Sequence, residues 1–229
     1  MSIIEIGCMG VKPDHAVMDS STPEGRILQQ AWGSVLQADG GPHWAYGGLE
    51  CNDPLRLWGL FAFDSVQQHE KFAQTFGFQA VQDLPKILSH PIFQRHVAID
   101  DGAAPLASVL DAGIKRMIFA YFPADVSEDN KVAIRECAKR VLTEHGWEGS
   151  RRSWGWGVEN DFPILGNEDE GKGSAFVIFQ SQSNQHVDLK EEDSSHQAAL
   201  SELRNEFKAV GELLHVVSVQ VGFQSFATK

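Results

Sequence analysis

No CxxC pair occurs in the 229 residues, and the three cysteines, Cys8, Cys51 and Cys137, are scattered and odd in number. That usage fits neither a structural zinc knot nor a disulfide framework. The histidines are spread as well, with no His-x-His, His-x-x-x-His or His/Cys cluster, so nothing supports metal catalysis. Basic residues are outnumbered, 19 against 31 acidic ones, for a formal charge of −12. The nearest approach to a basic cluster is the isolated pair Arg151-Arg152, and phosphate-backbone binding needs many clustered cations. Nucleic acid is therefore not an expected partner. No basic segment followed by an apolar run opens the chain, so no signal peptide is read. No apolar stretch reaches the ~18 residues that suggest a membrane span. A cytoplasmic protein with no membrane partner is expected. Gly155 and Gly157 do not belong to a GxGxxG phosphate fingerprint.

What the chain does have is enough apolar residue, 42%, to fill real cores, and a length that suits two domains of roughly 100 residues each. It also contains a repeat. Trp44-Ala45-Tyr46-Gly47-Gly48-Leu49-Glu50 leads into an Asn52-Asp53 turn, and Trp154-Gly155-Trp156-Gly157-Val158-Glu159 leads into Asn160-Asp161. Aligned on their glutamates, the two stretches lie about 109 residues apart, far beyond a solenoid period. Two copies of one small unit follow.

The elements agree. Ile3 to Val11 reads as a strand. Thr22-Pro23-Glu24 opens a helix, with Thr22 as cap and Pro23 at the first helical position. Trp44 to Glu50 and Leu57 to Phe63 form a hairpin. Ser65 and Gln68 start a second helix in the manner of a capping box, and Pro91 to Asp100 closes the unit as a strand. The second half repeats the β-α-β-β-α-β order: Lys115 to Phe122, a helix from Ser127, a hairpin of Arg151 to Glu159 and Ala175 to Phe179, a helix through Leu203, and Leu213 to Phe223. This gives a first ferredoxin-like repeat over 1–101, a linker over 102–113 with one helical turn, and a second repeat over 114–229. Leu60-Phe61-Ala62-Phe63 and Phe176-Val177-Ile178-Phe179 are apolar on both faces. Leaving such a face wet is costly at ~25 cal/mol per Å2. The expected fold is α+β, with the two antiparallel sheets packed face to face within one chain, as a monomer or weak homodimer.

With both halves in view, the chain resembles dimeric α+β barrel proteins of the antibiotic-biosynthesis-monooxygenase-like group, particularly tandem forms found in fungi. The narrower resemblance lies in Tyr46 through Glu50 and Asp64-Ser65 through His69, echoed by Trp156 through Glu159 and Ser181. It implies an intrachain dimeric α+β barrel. Among the activities of that superfamily, which also includes haem proteins, it implies a cofactor-independent enzyme of natural-product metabolism. The expected reaction is oxygenation of an electron-rich phenol; a polyketide cyclase or isomerase using the same base, and a non-catalytic carrier, are the alternatives.

His69, in the first turn of its helix, is the first candidate base, or else simply covers the helix start. A haem role would need it to present an open face, and no specific haem signature accompanies it. Glu50 and Glu159 end their strands as a base, as partners that orient a histidine, or as turn residues. Tyr46 would donate to a developing phenolate. Trp44, Tyr46 and Trp58 are the expected aromatic walls for a small aromatic or polyketide-like molecule. Phe72, His43, Arg152, Trp154, Trp156 and His186 complete the expected binding set. By strand alternation Trp44, Tyr46, Gly48 and Glu50 share one face, while Trp154 and Trp156 point the other way from Glu159. The halves have then diverged so that one keeps an open pocket, or the rings of one sheet fill the space beside the glycines of the other. The long Asn160 to Gly173 loop is mobile surface or a lid.

Overall fold

In the computed structural model the described residues are 2–111, 114–144, 151–166, 171–182 and 189–226. The first half runs β1 (Ser2–Val11), α1 (Pro23–Val35), β2 (Ala45–Leu49), β3 (Arg56–Phe63), α2 (Val66–Phe72) and β4 (Leu88–Ile99). Between α2 and β4 lie a wide five-residue helical turn, Ala73–Gly77, and the short α3 (Phe78–Ala80). The caps act as their chemistry predicts: Thr22 accepts from Gly25 N, and Ser65 from Gln68 N. The second half runs β5 (Ile114–Phe122), α5 (Glu128–Glu144), β6 (Arg151–Gly157), β7 (Phe162–Pro163), β8 (Lys172–Gln182), α6 (Leu189–Val210) and β9 (His215–Val221), with β10 (Gln224–Ser225) after it.

All ladders are antiparallel, and nine of the ten strands follow the order β10-β2-β3-β1-β4-β6-β8-β5-β9, with the short β7 on β8. Two seams join the halves. At one, β4 pairs β6; at the other, β10 pairs β2 and Glu50 bridges Val221, which closes the ring of strands. Each seam holds a glycine where backbones meet. A Cβ on Gly155 would stand 2.0 Å from Ala98 O, and one on Gly48 would stand 2.5 Å from Gly222 O. The closed ring encloses an interior core that includes Ile4, Ile6, Trp58, Leu60, Phe119 and Val177, all fully buried. Helices cover the outer faces, α1 and α2 over the first sheet and α5 and α6 over the second.

Two expectations about connections are corrected. The linker's single helical turn is the longer helix α4 (Ala103–Leu110), whose Leu106, Val109 and Leu110 plug the interior core. The long loop of the second half also starts inside: Phe162, Ile164 and Leu165 are buried there because the closed sheets leave a mouth that apolar side chains fill. Residues 167–170 of that loop lie outside the described residues.

Strand register also corrects the alignment of the repeat. Gly48 pairs Trp58, which pairs Cys8; Gly155 pairs Val177, which pairs Phe119. Ile4 pairs Val97 as Lys115 pairs Val221. On this register Gly157 matches Glu50, and Glu159 matches Asn52. The glutamates stand two residues out of step, so they are not equivalent. The shift is even, and the faces survive: Tyr46 lies in the interior core and Trp156 beneath the helices.

Candidate active site

Between α1, α2 and the outer face of the first sheet lies a cavity of about 580 Å3. Its origin is legible in the register. Gly7, Gly59 and Gly47 of the first half match Ile118, Ile178 and Trp154 of the second. Trp32 of α1 lies over Gly47 and Gly59, where added Cβ atoms would come within 2.2 and 2.9 Å of its ring. Gly7 stays uncovered, with Met9 Cε 3.6 Å from a Cβ built there. The matching layer of the second half is filled by Ile118, Phe122, Trp156, Phe176, Ile178 and Phe207. The cavity walls are apolar, including Phe61, Phe63, Phe72 and Leu84, and the exposed Phe78 and Val81 stand at its rim.

One end of the cavity is polar. β1 points Glu5 into it, the first turns of α2 supply His69, and β4 supplies Gln94. His69 Nε2 lies 3.0 Å from Glu5 Oε2, and Gln94 Nε2 donates to Glu5 Oε1 at 2.7 Å. On its other side, His69 Nδ1 faces His96 Nε2 at 2.8 Å. His96 Nδ1 then meets Glu159 Oε1 at 2.5 Å, and the His96 backbone N–H donates to Glu159 Oε2 at 2.8 Å. Glu159 reaches β4 because the seam lays β6 beside it, with Val158 N donating to His96 O. The result is a continuous Glu5–His69–His96–Glu159 chain that crosses from one half to the other.

Counting protons defines its charge. Three contacts along the chain need three protons, and two neutral imidazoles carry only two. Burial, the largest influence on His69, opposes its charge; the hydrogen bond to Glu5 and the charges of Glu5, Glu70 and Glu159 outweigh it and raise the pKa. Burial likewise works to raise the Glu159 carboxyl, but hydrogen bonds from His96 prevail and hold it below its usual range. The third proton therefore belongs to the imidazole pair.

The linkage signs follow. A raised histidine pKa gives stability that is complete below the ordinary value of 6.5 and is lost as pH rises through the folded value. A lowered carboxyl gives stability complete above 4.5 and lost as pH falls through its folded value. His96 still holds Glu159 in His69→Gln, so only the His69 contribution differs, and the pH-dependent part of the melting-temperature difference from wild type is expected to be greatest below pH 6.5. It should shrink as pH rises past neutrality; a difference flat across pH 5 to 9 would refute the assignment of charge.

Of the residues expected at the site, His69 and Phe72 line the cavity, and Glu159 joins it through His96. Tyr46, Trp44 and Trp58 belong to the interior core on the opposite face of the sheet, because strand alternation sends them away from His69. Tyr46 donates to Asp111 at 2.6 Å, and burial and that carboxylate push its pKa up. Glu50 accepts from Trp58 Nε1 at 3.1 Å and lies near Arg56, both on β3, and its backbone bridges Val221 at the second seam. His43 pairs with Asp64 at the surface. Arg152 donates to Leu142 O, and burial lowers its pKa. Trp154 and Trp156 pack beneath the helices of the second half. The glycines beside them take no rings from the first half: Gly155 meets the Ala98 backbone and Gly157 the Phe162 ring. His186 lies outside the described residues. Glu5, Gln94 and His96 were not anticipated. One signal was present, a carboxylate set inside the apolar run Ile3-Ile4-Glu5-Ile6. On the aligned register the second half has Arg116, Ser218 and Gln220 at these positions.

As placed, His69 faces Glu5 through one nitrogen and His96 through the other. Among the described residues no group of three or more His, Cys, Asp or Glu is arranged to hold a metal ion. Nor is any described helix long and apolar enough to cross a membrane.

No protein-family model matches the sequence, and no curated protein does. Solved structures do match in shape. A proposed monooxygenase from Fusobacterium nucleatum is similar at TM-score 0.55 and 9% identity, over 98% of this chain and 92% of that one. An anthrone oxidase-like protein is similar at TM-score 0.54 and 14% identity, over 100% and 94%. A chlorite dismutase variant from Candidatus Nitrospira defluvii is similar at TM-score 0.52 and 10% identity, over 96% and 90%. The fold is the dimeric α+β barrel. At these identities the likeness is one of fold, which hosts several chemistries, so the dimeric α+β barrel alone does not assign a reaction.

Proposed function

We propose that the chain is a cofactor-independent oxygenase acting on a small aromatic or polyketide-like acid, a phenol or an activated C–H compound, bound in the first-half cavity. The observation that carries this reading is the Glu5–His69 contact of 3.0 Å at the polar end of an otherwise apolar cavity of about 580 Å3. Once the imidazole pair has shed its third proton, as pH rises through the His69 titration, His69 Nε2 presents a lone pair beside Glu5. It takes the substrate's proton, and the resulting imidazolium donates to Glu5, which stabilises the charge. The raised pKa makes His69 a stronger base than a free imidazole.

The substrate anion is the electron donor to dioxygen. A C–O bond forms, the hydroperoxide takes the proton back, and loss of water leaves a carbonyl. The substrate CH2 is oxidised, and one atom of O2 ends in the ketone and the other in water. Similarity to an anthrone oxidase-like protein favours anthrone as the first probe. Anthrone in an oxygen electrode is expected to consume one O2 per quinone formed, and Glu5→Gln should lower the rate. No oxygen uptake above the uncatalysed rate with anthrone and 1-naphthol would sink the oxygenase. Conversion that persists unchanged in anaerobic buffer would instead indicate a cyclase or isomerase working with the same base.

A further inference from the structure

Resting on His69 as the base, we infer that His96 and Glu159 form a proton relay, carrying the proton from the cavity across the seam between the halves to solvent and back. The three contacts run head to tail at 3.0, 2.8 and 2.5 Å, and each ring offers a different nitrogen to each neighbour. A proton added at His69 Nε2 can therefore leave from Nδ1 to His96 Nε2. The His96 Nδ1 proton then passes to Glu159. The return journey, when the hydroperoxide is protonated, restores both tautomers. No net proton is consumed.

Exposure rises only at the outer end of the same line. The side chains of His69 and His96 are 11% and 9% exposed, and that of Glu159 is 31%. The outer end is held in place. Arg95 grips Asp161 through two hydrogen bonds of 2.8 and 2.7 Å, and Val158 N donates to His96 O, which fixes the loop bearing Glu159 against β4. The groups facing the relay are Glu5 from β1, Glu70 from α2, Gln94 and Arg95 from β4, and Asp161 with its partner Lys172 beyond Glu159. The other seam has no counterpart, because Gln220 and Asn52 stand where His96 and Glu159 would match. An apolar cavity offers a substrate proton little water to leave by, so a wired exit has a use there.

The test mixes the protein with 1-naphthol, a weaker acid than imidazolium, in weakly buffered solution at a pH above the His69 titration and below the naphthol's own pKa. Naphtholate absorbance and proton release, read by a pH indicator, are followed together. Wild type is expected to release one proton per naphtholate with matching rates. In His96→Gln, which can still hydrogen bond to both neighbours, naphtholate should still form, and proton release should lag behind it at least about tenfold. Glu159→Gln, which keeps the hydrogen-bonding shape, is the second variant should the first fold poorly, and the same split is expected. Release that keeps pace with naphtholate in the variants would overturn the relay and leave the base intact. Absence of naphtholate in wild type would overturn both. A purely structural role for His96 would slow both signals together, and that result also counts against the relay.

Discussion

His69→Gln is expected to lower kcat for anthrone oxidation by about 10^2 to 10^4, the usual contribution of a positioned general base. KM should change little, because the apolar walls that hold the ring remain. Glutamine can still donate to Glu5, so the buried carboxylate keeps a partner and the fold is expected to survive; His69 is 9% exposed and Glu5 lies at its side. Steady-state oxygen uptake by wild type and variant gives the comparison. A variant within a factor of about three of wild type would show that proton abstraction happens elsewhere.

The second large effect is expected at Gly7. Gly7→Ile places in the first half the side chain that Ile118 already supplies, fully buried, at the matching position of the second. A Cβ at position 7 meets nothing closer than 3.6 Å, so the branched side chain grows into the cavity rather than into backbone. Isoleucine also suits a strand interior. The variant should melt no lower than wild type, because it fills a void. Affinity for 1-naphthol should fall at least about thirtyfold, or roughly 2 kcal/mol, by calorimetric titration. Unchanged affinity in a variant with wild-type stability would place the ligand site outside this cavity.

The β-α-β-β-α-β order, both caps and the two-copy architecture were readable from periodicity and turn chemistry, which are local signals. His69 was readable for the same reason, since Ser65 and Gln68 fix the start of its helix. Its partners were not. Glu5 lies in β1 and His96 in β4, and only strand pairing brings them together, at Glu5↔His96. Glu159 was legible as the partner of a histidine, but which histidine depends on the seam between β4 and β6. The aromatic repeat drew attention to Trp44, Tyr46 and Trp58, whose rings follow sheet alternation into the interior core. Its true message was in the glycines. Where the strands match, small residues in one half and isoleucines or tryptophan in the other decide which layer stays open.

The central claim is that the Glu5–His69 end of the cavity takes a proton from an apolar acid. Absorbance of 1-naphthol, which shifts when the naphthol ionises, tests it directly. On saturation with wild-type protein, at a pH above the His69 titration and below the naphthol's own pKa, the naphtholate band is expected to appear, and with His69→Gln it is expected to be absent. Bound 1-naphthol that stays neutral in wild type, or ionises equally in both proteins, would contradict the claim.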